Sequence, residues 1–448
     1  MQDSGTLDTN WEHADWRGDF AGGFYKLKQY NFSSYHTALH TFQSLCRGLG
    51  VDDAPALVMY RFFSLLCQLL AVLLVYAIAR KLLNNQAAIF SATFLVIAPQ
   101  AVVDAHYARP ESFVILLVAV ASWLSLKNCT EKKLSITALE SIVWGVAFAC
   151  KFSFLPMVGL AFVASCLVLK RSVVLLLWPV GILLGVAISA PYILSDVSGF
   201  LHGVALLRNQ YAGVPIENGG VKSIFPSLYS ILEYSLVFFT LPIFIIIFST
   251  LFIGVSRKVK LFSGLVALIS VLYWMIFSMQ GVFFERNLSH LLPLWAVLFG
   301  VGASTLISKM SQGFARLGMS LCVALSLVWM LGLSWQIDQE LFSGLARNKQ
   351  MIAKEEVDLL KQYRADKMIP LNIMMGVNSL HGVDASVIVR VPELKVPEMA
   401  LLTQALEVEE FKQVAYRELP LSFLPYNQLQ INQLPVAYRY YQRTVEHP

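Results

Sequence analysis

Asp104, His106, Arg109 and Glu111 fall within eight positions of one another in a chain where charge is scarce. Lys151 stands alone between two apolar runs, and Arg286 and His290 lie four apart, just after Glu285. Carboxylates and histidines at such places can move a proton. A guanidinium can hold phosphate bidentately, and a lysine can do so as a point charge. Each position also has a plain structural reading. Pro110 suits the first turn of a helix, where its missing N–H would be unpaired anyway, and the helix dipole then favours Glu111. A capped helix start with an Arg109–Glu111 surface pair would show the same letters. Lys151 could snorkel its ammonium to the headgroup layer. His290 could be a satisfied structural histidine, sharing a helical face with Arg286. The first twenty residues add Asp3, Asp8, Glu12, His13, Asp15 and Asp19, either a solvated acidic terminus or the source of a general base.

The elements that must position these groups are membrane spans. With 56% hydrophobic and 14% charged residues, the 448-residue chain is too apolar for one soluble core. Ten stretches are apolar and near the ~20 residues that cross a ~30 Å hydrocarbon layer: 55–79, 86–103, 110–126, 134–150, 152–169, 172–194, 228–255, 261–279, 288–308 and 317–335. If residues 1–54 lie outside, every second loop is basic. Those loops carry Arg80/Lys81, Lys127/Lys132/Lys133, Lys170/Arg171, Arg257/Lys258/Lys260 and Lys309/Arg316, against the single acid Glu131, as cytoplasmic loops should. The opposite loops hold Asp104, His106, Arg109, Glu111, Lys151, Asp196, His202, Glu285, Arg286 and His290. Any chemistry therefore faces outward. The net charge of +5 is mostly this loop signal and is no argument for nucleic-acid binding. The six cysteines show no CxxC and no paired spacing, so neither a disulfide framework nor a thiolate metal site is expected.

Residues 134–169 are broken only by Glu140, Lys151 and Pro156, and as one helix would run about 54 Å. Two spans reversing near Lys151-Phe152-Ser153 are expected instead, and the basic-loop pattern requires the same reversal. Met1 leads straight into a polar, aromatic segment that must lie outside, so a first helix is expected to be missing from this chain. Residues 36–46 are too short to span and suit an interfacial amphipathic helix. After Trp335 the chain turns polar. Helix-like 352–363 and strand-like 386–391 predict a small extracytoplasmic α/β appendage over 336–448.

Taken in order, five local strings resemble the C-type integral-membrane glycosyltransferases, which use polyprenyl-phosphate-linked sugars. Asp3-Ser4 stands where that family opens its first outer loop with an acidic pair, and Arg109-Pro110-Glu111 resembles its Arg-Pro-acid. Cys150-Lys151-Phe152 resembles its Thr-Lys-Tyr, and Ala190-Pro191-Tyr192 with Asp196 and Phe200 resembles the opening of its long outer loop. Arg286 ahead of Leu291-Leu292-Pro293-Leu294 completes the set. The resemblance covers about residues 3–310. It implies an all-α polytopic fold and inverting transfer to a lipid, glycan or protein acceptor. It further implies that Asp3 is the base and that Lys151 and Arg286, with Arg109 and His290 beside them, hold the lipid phosphate. Glu111, with Asp104 and His106 near it, would bind the acceptor or a divalent cation such as magnesium or manganese; no other cofactor is expected. The chain departs from the pattern at Ser4, where the family has Glu, and at Phe32-Ser33-Ser34-Tyr35-His36, where it has a Pro-Pro stretch. Asp8 or Asp15 could stand in for Asp3.

These readings make the chain a multi-pass protein of a bacterial inner membrane with its site facing the periplasm. It divides into a first loop (1–54), a transferase domain (55–335, with outer loop 195–227) and the appendage. A lipid or polysaccharide transporter or flippase is the alternative, although no inverted repeat is visible. A degenerate, non-catalytic relative is another.

Overall fold

The computed structural model describes residues 33–51, 56–106, 109–195, 227–280, 285–310, 313–339, 357–370, 386–393, 411–418 and 437–443, with a few positions between 197 and 225 and at 406. Asp3, Asp8, Asp15, Asp196, His202 and most of the loop 195–227 lie outside the described residues. Two units are distinguished: the helical body, mainly 28–334, and a second unit made mainly of 335–448.

Every apolar stretch of the sequence is helical. In chain order the helices are α1 (Ser33–Gly48), α2 (Ala56–Leu82), α3 (Asn85–Ile97), α4 (Pro99–His106), α5 (Glu111–Glu131), α6 (Leu134–Cys150), α7 (Leu155–Leu169), α8 (Val173–Ser189), α9 (Pro191–Ser195), α10 (Leu228–Ser249), α11 (Arg257–Ser278), α12 (Leu292–Lys309) and α13 (Phe314–Gln339). Short 3₁₀ turns cover Phe152–Phe154 and Glu285–Leu291. Among the described residues, six helices are long and apolar enough to cross a membrane, or seven if the bent pair α3–α4 is one span. That is fewer than the ten expected. The helices α6, α7 and α8 are 17, 15 and 17 residues long, short against the ~20 of a full crossing.

Breaks in the helices have local causes. Pro99 lacks an N–H to continue α3, and α4 leaves it at 55°. The run 134–169 is interrupted where expected. Lys151 is extended (φ −157, ψ 112), the turn Phe152–Phe154 follows, and α7 begins with a proline in its first turn and packs on α6. The expected span 228–255 ends earlier and is kinked at Thr240 (φ 54, ψ 157), two residues before Pro242. A proline there cannot bond the preceding turn and its ring crowds the carbonyl four residues back. The segment 36–46, expected to be an amphipathic helix, is helical within α1. The Ser34 and Thr37 hydroxyls of α1 donate to the carbonyls of Val146 and Ser189, at 2.9 and 2.7 Å, which fastens it to the ends of α6 and α8.

The segment Glu285–Lys309 is buried along nearly its whole length and forms the centre of the body. Apolar side chains gain nothing by leaving lipid, so close backbone approach and interhelical hydrogen bonds must hold such helices together. Small residues supply the approach. A Cβ at Gly300 would strike Ser91 and the Ala87 carbonyl of α3, and one at Gly302 the Ile246 carbonyl of α10. Gly145 of α6 and Gly185 of α8 meet in the same way, each against the other helix's backbone.

In the second unit, β1 (Lys367–Pro370), β2 (Val387–Glu393), β3 (Phe411–Glu418) and β4 (Ala437–Arg443) form a sheet in the order β1-β2-β4-β3. Only β1 and β2 run parallel, with Lys367 opposite Val387, and a bulge interrupts β3 between Gln413 and Ala415. Leu359, on a helical turn over 357–362, joins Ile388 and Tyr440 in its core. The α/β character expected for this region is present.

Gly185→Leu should force α6 and α8 apart and lower the thermal midpoint in detergent, with a cost of about 1–3 kcal/mol. Gly159→Leu, where a Cβ meets nothing within 4 Å, is the control and should leave the midpoint unchanged.

Candidate functional site

Three of the breaks converge. The α4–α5 junction, the extended residue after α6, and the 3₁₀ turn leading into α12 each bring polar side chains to one place in an otherwise apolar body. At the first, Pro110 immediately precedes α5 (φ −69, ψ −14) and Glu111 opens its first turn. Glu111 is 1% exposed in its side chain, so it is part of a buried arrangement and not of a surface pair. Its Oε1 receives Lys151 Nζ at 3.3 Å and Arg286 Nε at 3.8 Å. Lys151 is buried and does not snorkel; its ammonium also donates to Asn287 Oδ1 at 3.5 Å. Arg286 remains about a quarter exposed, so the cluster has one wetter edge.

Behind the ion pair lies a chain of neutral hydrogen bonds. His290 Nδ1 is 2.9 Å from the Asn287 carbonyl, which can only accept, so Nδ1 carries the proton. Nε2 is then the acceptor for the Ser153 hydroxyl at 3.0 Å. Tyr273 OH donates to the Ser153 carbonyl at 2.6 Å. The rings of Phe154 and Tyr273 flank the imidazole, with centroids 4.6 and 5.3 Å away. Both ring nitrogens of His290 are engaged within the protein, and the ring is fully buried. It orients the Lys151–Ser153 bend against the 3₁₀ turn.

Asp104 is likewise engaged. Gln100 Nε2 and Ser289 Oγ donate to its two oxygens, each at 2.7 Å. Two residues along α4, the half-buried His106 has Nδ1 2.7 Å from the Val102 carbonyl. Arg109 is half-buried. Among the described residues, no group of three or more His, Cys, Asp and Glu could hold a metal ion.

The residues expected from the sequence therefore fall into two sets. Glu111, Lys151 and Arg286 meet directly. Asp104 and His290 serve the frame around them. Sequence reasoning gave no role to Asn287, Ser289, Ser153, Gln100 or Tyr273. Gln100 and Asp104 are four apart in a helix, and Asn287 and Ser289 lie between Arg286 and His290, patterns that contained the signal. Two buried atoms, Glu111 Oε2 and Asn287 Nδ2, have no hydrogen-bond partner among the described residues, leaving one acceptor and one donor beside the ammonium. Two cations against one carboxylate give these three groups an excess positive charge suited to an anion.

Removing one partner of a buried ion pair strands the other. Lys151→Met should therefore destabilise the protein by about 3–5 kcal/mol. Lys151→Met with Glu111→Gln should recover much of that loss. Thermal unfolding of the four proteins of this cycle measures it.

Comparisons with known proteins agree with the architecture. A family model described as dolichyl-phosphate-mannose-protein mannosyltransferase matches residues 55–194, which run from the start of α2 into α9. The fold is similar to that of ArnT from Cupriavidus metallidurans bound to undecaprenyl phosphate, with a TM-score of 0.50 at 12% identity, over 94% of this chain and 90% of that one. The apo form of that protein gives a TM-score of 0.46 at 15% identity, over 73% and 70%. An Archaeoglobus fulgidus oligosaccharyltransferase tethered to an acceptor peptide gives 0.45 at 11% identity, over 68% of this chain and 47% of that one, so this chain spans about half its length. No curated protein matches the chain by sequence. The chain is thus similar to C-type membrane glycosyltransferases in a family match and in fold.

Proposed function

We propose that this chain, sharing its fold with a membrane protein bound to undecaprenyl phosphate, is a glycosyltransferase that takes its sugar from a polyprenyl-phosphate carrier. The observation that carries the reading is the convergence of Lys151 and Arg286 on one carboxylate oxygen at 3.3 and 3.8 Å. Ten crossings with residues 1–54 outside remain the arrangement best supported by the basic loops, with α6, α7 and α8 as the short spans. It puts the Glu111–Lys151–Arg286 cluster on the periplasmic side of a bacterial inner membrane.

The chemistry follows from charge. In an inverting transfer, the acceptor oxygen forms a bond to the anomeric carbon on the face opposite the phosphate. The bond from that carbon to the phosphate oxygen breaks, and its electron pair leaves with the polyprenyl phosphate. The leaving phosphate gains negative charge as the bond breaks, and fixed cations stabilise such charge best in a dry site. Lys151 and Arg286 supply them, exchanging the Glu111 carboxylate for the phosphate. Glu111 keeps the two cations oriented before the lipid arrives, so little reorganisation remains. His290, Ser153 and Asn287 set the position of Lys151. The acceptor's proton goes to a carboxylate of the first loop, for which Asp3 is the assignment. Glu111 Oε2 and Asn287 Nδ2 suit a hydroxyl, which both donates and accepts.

Transfer in proteoliposomes tests the reading, with radiolabelled polyprenyl-phosphate sugars and an envelope extract as acceptor. Wild type should move label from lipid to acceptor, and Asp3→Asn should lose about 10²–10⁴-fold of that rate. Full activity in Asp3→Asn would remove Asp3 as the base. Lys151→Ala and Arg286→Ala should weaken donor binding by about 10- to 100-fold each. Intact label crossing the bilayer without transfer would make the chain a flippase.

A further inference from the structure

Glu140 is a fully buried carboxyl in the middle of the apolar helix α6, about three turns before Lys151. Ser125 Oγ donates to its Oε1, and Asn128 Nδ2 donates to its Oε2 at 3.2 Å. Asn128 and Thr137 are also joined, the amide donating to the threonine hydroxyl at 2.9 Å. All four residues lie beside the tight turn that joins α5 to α6, where Lys132 takes a left-handed conformation (φ 52).

The spacing of these residues is informative. On α5, Asn128, Ser125, Ala121, Val118, Val114 and Glu111 succeed one another at alternating intervals of three and four. On α6, Thr137, Glu140, Trp144 and Ala147 do the same, and Lys151, the extended residue that closes α6, follows at the next interval of four with its N–H on the Ala147 carbonyl. Such a series keeps one face of a helix. In an antiparallel hairpin the two faces pair rung by rung: 128 with 137, 125 with 140, 121 with 144, 118 with 147, and 114 with 151. The two polar rungs nearest the turn are those seen bonded. The final rung carries Lys151 within one turn of Glu111, the pair bonded at 3.3 Å. Apart from Ser125, which is half-buried, every residue of both stripes is buried.

The rungs between are Ala121, Val118, Val114, Trp144 and Ala147, which have no directional bond to resist sliding. In lipid such a seam has weak preference for one register, and interhelical hydrogen bonds are what can set it. Slippage of one turn would move Lys151 by about 5.4 Å from Glu111. A single polar position fixes register in coiled coils by the same logic.

We propose that Glu140 is a positioning residue: with Ser125, Asn128 and Thr137 it sets the register of the α5–α6 seam and thereby brings Lys151 to Glu111 and Arg286. The proposal rests on the reading of that cluster as a lipid-phosphate site only for its effect on binding; the register itself does not depend on it.

The test uses the full chain with its cysteines replaced, carrying Val118→Cys and Ala147→Cys on opposing rungs. Oxidation should cross-link this pair in the parent and in Glu140→Gln, whose amide can still accept from Ser125 while Asn128 turns over. In Glu140→Leu the cross-link should fall several-fold and shift to a cysteine placed one turn away on α6, at Val143. In the native-cysteine protein, undecaprenyl phosphate affinity should drop about tenfold in Glu140→Leu and stay within twofold in Glu140→Gln. If Glu140→Leu fails to accumulate, Asn128→Leu with Thr137→Val removes the outer rung with near-isosteres and should give the same shift. An unchanged cross-link in these variants overturns the proposal, as does unchanged affinity beside a wild type that binds. A wild type that binds no undecaprenyl phosphate contradicts the lipid-phosphate reading instead, and the cross-link alone then decides the register.

Discussion

A carboxylate and an ammonium buried together at the end of two apolar helices constrain much of this molecule. Glu111 and Lys151 are 3.3 Å apart and nearly inaccessible, so neither could remain charged there alone. Each makes the other tolerable, and Arg286 adds a second cation at a less buried edge. Desolvation makes such a group costly as a source of stability, and apolar replacements of both partners are often no worse. The pair is therefore better explained by what it holds ready than by what it contributes to folding. Lys151 and Arg286 against the single carboxylate of Glu111 leave these three groups with a net positive charge, which is what the proposed phosphate site requires.

The surrounding architecture places these groups with ordinary devices. Pro110 starts α5 one residue before Glu111, so the carboxylate sits where the helix dipole favours it. Lys151 lies at an extended residue between α6 and the Phe152–Phe154 turn, with its backbone outside either helix. The 3₁₀ turn before α12 delivers Arg286, Asn287, Ser289 and His290 from a central, buried segment. Ser289 donates to Asp104 of α4, and Ser153 of the Lys151 bend donates to His290, so two hydrogen bonds tie the three chain segments together. Small residues at Gly145, Gly185, Gly300 and Gly302 let the helices approach closely enough for these contacts.

Much of this was legible in the sequence, because hydropathy and helix-breaking residues are local signals. The apolar stretches all became helices, and the break at Lys151 fell where a 36-residue helix would have overrun the bilayer. The strand at 386–391 was readable from its β-branched residues, but its partners were not, since β4 lies some fifty residues away. Among the described residues, length supports six or seven crossings, because α6, α7 and α8 are only 15–17 residues long. Glu111, Lys151 and Arg286 stood out because charge is scarce in this apolar chain. That His290 and Asp104 serve the frame could not be read, because it depends on which carbonyl and which hydroxyl fold against them. Asn287, Ser153 and Ser289 carry no charge and looked like ordinary loop residues.

Electron cryomicroscopy of the protein in nanodiscs with undecaprenyl phosphate tests the central claim most directly. The account predicts phosphate density within hydrogen-bond distance of Lys151 Nζ and the Arg286 guanidinium, with the Glu111 carboxylate moved away from at least one of them. Phosphate bound elsewhere, with the Glu111–Lys151 pair intact, would contradict it.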